Sequence, residues 1–365
     1  MGWEERGARR SAAPPEEVLQ RPSHHRKDGT FRNPHLGQMR NSLYRFMQAR
    51  FGGENWALHA GQVERVKVER CDLERLASPA LRPRATWLGH STFLVQYGER
   101  RVLTDPVFSD RVSPLGFAGP RRLVPLPMSI DQLPPIDLVV ISHNHYDHLD
   151  RASVRQLGNR TRYAVPLGLK RWLVSVGIEP GRISEFDWWQ KARAGGVEVT
   201  ATPAQHWSGR GLRDRNRSLW AGFHLDLDGF RFWFAGDTGY NEVQFREIGR
   251  QLGGMDLALI PIGAYDPRWF MKAQHIDPDE AVRIHEEIGA RLSIGMHWGT
   301  FQLSAEEIDA PRRRLEEALR RRPAHVAPFI TLPIGATRDI GCDRCTVTDE
   351  AGAMPAGLSG EDLIQ

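Results

Sequence analysis

Between Ile141 and Asp150 the chain reads ISHNHYDHLD, three histidines and two aspartates in ten residues, directly behind the apolar run IDLVVI. Residues two apart on an extended chain point the same way, so His143 and His145 at a strand end can grip one cation. A turn into a helix near Leu149 then swings Asp147 and His148 round to a second position close by. Imidazole and carboxylate ligands suit zinc, and they also suit iron and manganese. Three more residues of ligand type follow later apolar runs: His206 after VEVTATP, Asp237 after FRFWFAG and His297 after RLSIGM. Alone, a His beside a Trp is as readily a packing residue, and an Asp before Thr-Gly is as readily a turn former. Their common place at the C-terminal ends of strands changes that reading. With the first cluster they make seven ligands, enough for two cations bridged by Asp237.

Holding such a set requires a rigid frame, and the sequence from Arg84 onward supplies one. RATWLGH, TFLVQYG and RRVLTDP read as hairpin strands, followed by IDLVVIS, RYAVP, VEVTATP, SLWAGFHLDL, FRFWFAGD, MDLALIPIG and RLSIGMHWG. Helical stretches lie between several of these: LGLKRWLVSVG, NEVQFREIGRQL, DPDEAVRIHEEIG and SAEEIDAPRRRLEEALRRR, the last with Ser304 as its expected cap and Glu307 three residues on. This order predicts two sheets packed face to face with helices outside. Residues 1–80 read as an extended or partly ordered arm with one short helix near Asn41 to Arg50, residues 81–340 as the folded domain and 341–365 as a tail. His24, His25, His35 and His59 lie in the arm, where the pair HH reads as solvated. His90 reads as a buried packing residue or a support for a ligand. Cys342 and Cys345 form a lone CDRC pair and read as free thiols.

Composition narrows the function classes. No uninterrupted apolar run approaches the roughly 20 residues that span a bilayer. The N-terminus carries acids and prolines where a signal peptide needs an apolar stretch, so the cytoplasm is the expected location. A pI near 9.1 mildly favours phosphate contact. A net charge of +4 is nonetheless small for 365 residues, and the 59 residues between Asp237 and His297 leave no room for a nucleic-acid clamp. Nucleic acid is therefore not an expected partner.

The run HNHYDH from His143, followed by His206, Asp237 and His297, resembles the metallo-β-lactamase superfamily. That resemblance implies an α/β (α+β) fold, an αββα sandwich of two mixed β-sheets flanked by helices, with a two-metal site along one edge. WLGHSTFLV, LTDPVFSDRVSPLGFAGPRR, LPPIDLVVISHNHYDHLD, FAGDTGY and IPIGAYDPRWFMKAQH are similar, more closely, to its N-acylphosphatidylethanolamine-hydrolysing phospholipase D branch, with an echo at FRNP near Phe31. The likeness runs from about Arg84 to about Leu332. It implies that His143, His145 and His206 hold one zinc ion, that Asp147, His148 and His297 hold the other, and that Asp237 bridges them. Iron or manganese would fit the same ligands. It further implies catalytic roles for Asp147, Asp237 and His275, substrate contacts from Tyr146, Gln274 and His275, and hydrolysis of N-acylphosphatidylethanolamine-like phospholipids to N-acylethanolamine and phosphatidic acid. Another phosphodiester or a lactonase-type ester is the alternative substrate. The expected partners are the phospholipid or other phosphodiester, the inner face of a membrane in peripheral contact, and a second copy of the chain. Val112 to Ile130, with Pro, Leu, Phe, Arg121 and Arg122, fits either a membrane rim or an ordinary ordered loop. Arg151 stands where the animal enzymes of the branch carry an aromatic residue, which leaves acyl and headgroup preference open.

Overall fold

Side chains alternate between two cores along the strands that open the domain. A single helical turn, α1 (Leu73–Ala77), precedes β1 (Ala80–Gly89), β2 (Thr92–Gly98) and β3 (Arg100–Thr104). From these strands Ala85, Trp87, Phe93, Val95 and Val102 enter one apolar cluster, while Leu88, Leu94 and Leu103 enter another. β4 (Leu138–Val140) and β5 (Arg162–Pro166) continue the division, with Leu138, Val140 and Ala164 on one side and Val139, Tyr163 and Val165 on the other. A sheet apolar on both faces must be covered on both. α2 (Arg151–Leu157) and α3 (Lys170–Ser175) cover one face through Val154 and Leu173. A second sheet covers the other through Val199, Phe223, Leu225 and Phe232.

The computed structural model describes residues 22–36, 61–211, 213–323 and 326–345. Within these, the remaining strands are β6 (Ile183–Phe186), β7 (Lys191–Ala194), β8 (Val197–Thr202), β9 (Gly222–Leu227), β10 (Phe230–Phe234), β11 (Leu257–Pro261), β12 (Ser293–Met296), β13 (Phe329–Ile330) and β14 (Thr337–Asp339). They complete two seven-stranded sheets, ordered β14-β1-β2-β3-β4-β5-β6 and β13-β12-β11-β10-β9-β8-β7. In the first sheet β3 to β6 run parallel and the rest antiparallel. In the second, β10 to β13 run parallel and β7 to β10 antiparallel. Parallel neighbours need crossovers, and α4 (Gln244–Leu252) supplies the one between β10 and β11. α5 (Arg268–Met271) and α6 (Pro278–Ile288) lie between β11 and β12. The αββα sandwich of two mixed sheets is thus the observed architecture.

Local chemistry explains the helix ends that matter here. Asp277 caps α6 in a reciprocal box with Glu280, Pro278 occupies the first turn, and Gly289 closes the helix with φ 65°. α7 (Ala310–Arg320) starts later than the sequence predicts, and Ser304 does not cap it. Pro311, which has no N–H to lose, lies in its first turn. The residues ahead of it are used differently, because the buried Glu306 carboxylate accepts from the N–H groups of Ala264, Tyr265 and Asp266.

Two further expectations are corrected. His24 is buried and His25 only partly open to solvent. The turn after them folds the arm back on itself, with a bridge from His25 to Phe31 and Arg32 N–H donating to the His24 carbonyl. Both rings thereby reach Asp187, and His24 is only 6% exposed. Cys342 and Cys345 are joined in a disulfide, their Cα atoms 5.4 Å apart and within bridging reach. The helix expected near Asn41 to Arg50, His59, and the tail beyond residue 345 lie outside the described residues. No helix among the described residues is long and apolar enough to cross a membrane.

Candidate metal centre

Each ligand-type residue sits just beyond the end of a strand. The HNHYDH run begins three residues after β4 and is pinned at its far end by Asp150, which caps α2 by accepting from Ala152 and Ser153 N–H. Within the run the N–H groups of His148 and Leu149 return to the His145 carbonyl, closing the turn. His206 follows β8, Asp237 follows β10 and His297 follows β12. The backbone here takes conformations that side chains rarely adopt. His90, Asp105, Ala264 and His297 have φ of 51°, 31°, 61° and 63°. Such residues cost of order 1–3 kcal/mol each and persist where the surroundings over-determine them, often at functional sites. Gly236, at φ 61°, precedes Asp237, and a Cβ there would lie 2.5 Å from Ser142 Cβ. Only glycine lets this strand end pass so close to the ligand run.

Asp237 stands at the middle of the cluster. Its Oδ2 lies 3.2 Å from His148 Nε2, 3.8 Å from both His206 Nε2 and His275 Nδ1, and 4.0 Å from His143 Nε2. Its Oδ1 lies 3.2 Å from His297 Nε2. On one side His145 Nδ1 is 2.8 Å from His143 Nε2 and 3.2 Å from His206 Nε2. On the other, Asp147 Oδ2 is 3.3 Å from His148 Nε2 and 3.4 Å from His297 Nε2. The structure thus gathers all seven residues into two groups of three with a shared carboxylate between. Asp237 Oδ1, His148 Nε2 and His297 Nε2 are buried with no hydrogen-bond partner, although they face one another. Orphaned polar atoms of this kind are rare in protein interiors, and a divalent cation would satisfy them. The donor set fits such a cation.

The outer nitrogens of the imidazoles fix which atoms face inward. His206 Nδ1 lies 2.9 Å from the Gln274 carbonyl, which can only accept, so Nδ1 carries the proton and Nε2 presents its lone pair to the cluster. Asp105 performs this service for both groups at once. Its Oδ2 accepts from His148 Nδ1 at 2.6 Å and from Ser142 Oγ at 2.6 Å, and Ser142 Oγ in turn lies 2.9 Å from His143 Nδ1. His206 is held by its backbone as well. Asn33 of the arm donates to its carbonyl at 2.8 Å and accepts from its N–H at 3.2 Å. His90 Nε2 lies 3.0 Å from Asp147 Oδ2, a support for that carboxylate.

Burial and mutual charge set the protonation states. Burial holds the imidazoles of His145, His206 and His275 down at about 3, and His143 well below its ordinary range, so they stand neutral and ready to coordinate. His297 goes the other way. Burial opposes its charge, but Asp237 and Asp147 outweigh it and raise His297 to about 9. His148 is raised by the same carboxylates against the same burial. Asp147 and Asp237 resist burial through their imidazole neighbours and stay well below the carboxylate range.

Of the remaining candidates, Gln274 is buried and touches His206 through its carbonyl. Tyr146 is turned elsewhere: its hydroxyl donates to the Arg210 carbonyl and its ring lies under the Arg210 guanidinium at 3.8 Å. There it lines a cavity of about 400 Å³ with Arg111, Arg151 and Trp172. Sequence reasoning missed Asp105, Ser142 and Asn33. Asp105 follows β3 as the catalogued ligands follow their strands, a signal masked by the turn-like Thr-Asp-Pro.

Comparison with known proteins agrees with this geometry. Residues 100–298 match the beta-lactamase superfamily domain model. The chain is 44% identical over 263 residues to N-acyl-phosphatidylethanolamine-hydrolyzing phospholipase D 1 of Caenorhabditis elegans, covering 69% of this chain and 74% of that one. It is also 44% identical over 271 residues to an uncharacterized protein of Mycobacterium tuberculosis, covering 73% and 69%. The mitochondrial N-acyl-phosphatidylethanolamine-hydrolyzing phospholipase D of Saccharomyces cerevisiae is 41% identical over 63% of this chain and 50% of its own. Among solved structures, an isothiocyanate hydrolase from Delia radicum gut bacteria superposes with a TM-score of 0.56 at 17% identity, over 71% of this chain and 99% of that one. A metallo hydrolase of Ignicoccus hospitalis does so at 0.52 and 22%, over 70% and 97%. The chain belongs to the metallo-β-lactamase superfamily, a metal-dependent hydrolase close to the N-acylphosphatidylethanolamine-hydrolysing phospholipase D branch.

Proposed function

We propose that the protein is a zinc-dependent hydrolase of phospholipase D type that cleaves N-acylphosphatidylethanolamine-like phospholipids. The observation that carries this reading is the Asp237 carboxylate, with five imidazole nitrogens within 4.0 Å, set between two groups of three ligands. The curated relatives that are named for this phosphodiester cleavage support the substrate class. In this reading His143, His145 and His206 would hold one zinc ion, Asp147, His148 and His297 would hold the second, and Asp237 would serve both. Ions held there would supply the Lewis acidity that activates water and neutralises charge on phosphoryl oxygens. Water adds to phosphorus, the bond to the N-acylethanolamine oxygen breaks, and phosphatidic acid remains. His275, held neutral by burial with its Nδ1 3.8 Å from Asp237 Oδ2, is placed to donate a hydrogen bond to the leaving oxygen, which takes up the proton that the attacking water sheds.

Presentation of a lipid is supported by the loop after β3. Phe117 is 81% exposed and Leu115 48% exposed, and Arg111 beside them lines the cavity that holds Tyr146. Apolar tips backed by cations suit an anionic lipid surface, which supports peripheral contact with the inner face of a membrane. The test is a mass-spectrometric product assay of zinc-loaded protein on N-acylphosphatidylethanolamine micelles, with Asp237→Asn as control. Zinc-dependent release of N-acylethanolamine and phosphatidic acid, absent in the control, is the expected result. Hydrolysis of a soluble phosphodiester with no lipid product would sink the lipid reading and keep the two-metal chemistry.

A further inference from the structure

Away from the metal centre, the described residues hold one other group of imidazoles and carboxylate with ligand atoms crowded together: His24 and His25 of the arm with Asp187, in the loop between β6 and β7. Adjacent residues on an extended chain point apart. Here they converge. His24 Nε2 lies 2.7 Å from Asp187 Oδ1 and His25 Nε2 lies 2.8 Å from Asp187 Oδ2. The potential ligand atoms lie within 4.8 Å of one another, the same crowding shown by His143, His145 and His206. Every member of the group is oriented by something other than its partners. The His24 ring stacks on Trp188 at 4.2 Å, and the bridge from His25 to Phe31 sets the backbone of the other. The N–H of Trp188 donates to Asp187 Oδ1 at 2.9 Å. Asp187 and His25 keep a quarter of their side-chain surface open, which leaves room for water to complete a coordination shell.

We propose that His24, His25 and Asp187 form an additional zinc site, distinct from the catalytic cluster, that staples the arm to the sandwich. Two imidazoles and a carboxylate are a donor set that zinc accepts in four-coordinate sites, with water in the open place. The staple spans residues 163 apart in sequence, so it removes chain entropy that no local contact could remove. It also reaches the metal centre through a short chain of contacts. Trp188 Nε1 donates to the Trp220 carbonyl at 2.7 Å, Trp220 Nε1 donates to Asn33 Oδ1 at 3.2 Å, and Asn33 grips the His206 peptide. An ion bound at the arm therefore steadies the backbone of a catalytic-site ligand.

Zinc per chain is counted by inductively coupled plasma mass spectrometry on the full chain, after dialysis against a zinc buffer at neutral pH, for the unaltered protein and for His25→Ala, Asp187→Asn and His25→Gln. The expected result is the loss of one zinc per chain in each variant, together with at least tenfold faster amide hydrogen exchange across residues 22–36. His25→Gln keeps a hydrogen bond to Asp187 without a good ligand, so it reports on the ion even where the other variants fold poorly by circular dichroism. An unchanged zinc count in the folded variants overturns the proposal and leaves a hydrogen-bonded clasp. The readout is a difference in metal content, so it stands or falls separately from the hydrolytic reading.

Discussion

The two sheets deliver the same kind of side chain by opposite means. The first delivers His143, His145, Asp147 and His148 from a single turn, whereas the second delivers His206, Asp237 and His297 from three separate strand ends. One buried carboxylate, Asp105, steadies the local run through His148 and through Ser142 to His143. The dispersed set needs a different device at each point: Asn33 and the Gln274 carbonyl for His206, Gly236 ahead of Asp237, and a left-handed backbone at His297. A local cluster can thus be organised by one group, while a dispersed one depends on the whole sheet. The first half should fail sharply through single residues and the second should fail piecemeal.

The largest effect is expected where the halves meet. Asp237→Asn should lower activity by about 10³-fold or more and reduce zinc per chain, because both groups lose their shared carboxylate. Next comes the contrast between supports. Asp105→Asn should weaken metal retention against a chelator by about 100-fold, the upper end for residues that orient ligands, and Asn33→Ala by about tenfold. Equal losses would break the comparison between local and dispersed sets. Asn33→Ala should also cost about 1–3 kcal/mol in denaturant unfolding, since it strips partners from the buried His206 peptide.

Protonation sharpens the comparison from another side. His297 rises from an ordinary 6.5 to about 9 in the metal-free chain, so it is charged at pH 7 and a cation must displace its proton. Zinc affinity at this group should therefore climb by about tenfold per pH unit for each proton displaced, levelling above about pH 9. Titration calorimetry in buffers of different ionisation enthalpy should detect the released protons. The sign for stability is the reverse. The charged His297 stabilises the metal-free fold fully below its ordinary 6.5, and that contribution is lost as pH rises through about 9. The smallest effect is expected at a helix end: Asp277→Ala, which removes the cap of α6, should cost about 1 kcal/mol.

The sandwich was legible because its central strands are apolar runs bounded by turn residues, and the candidate ligands stood out because each follows such a run. The misses share a physical cause. β7 (KARA) is mostly exposed and β14 (TRD) has no buried residue, so neither edge strand carries an apolar signature. The contact of Asn33 with His206 spans 173 residues, and no local pattern encodes it. The pair at His24 looked solvated because what buries it, Trp188 and Asp187, lies far along the chain. The start of α7 was misplaced because Ser304 and Glu307 imitate a capping pattern, although Glu306 is occupied by the loop at Ala264 to Asp266 and Pro311 sets the first turn.

The pairing of β1 with β14 sets an order of events during synthesis. The ribosome releases β1 about 250 residues before β14, and at roughly 5–20 residues per second the wait is on the order of tens of seconds. Through that interval the edge of the first sheet has no partner from this strand, and the HNHYDH turn has emerged well before His297. The nascent chain therefore carries six of the seven ligand-type residues while the β1 edge of the sheet is still open. Completion of the second group and closure of the sheet are both late steps, and a chain stalled before residue 297 would carry His143, His145, His206 and Asp237 beside a second group that still lacks His297.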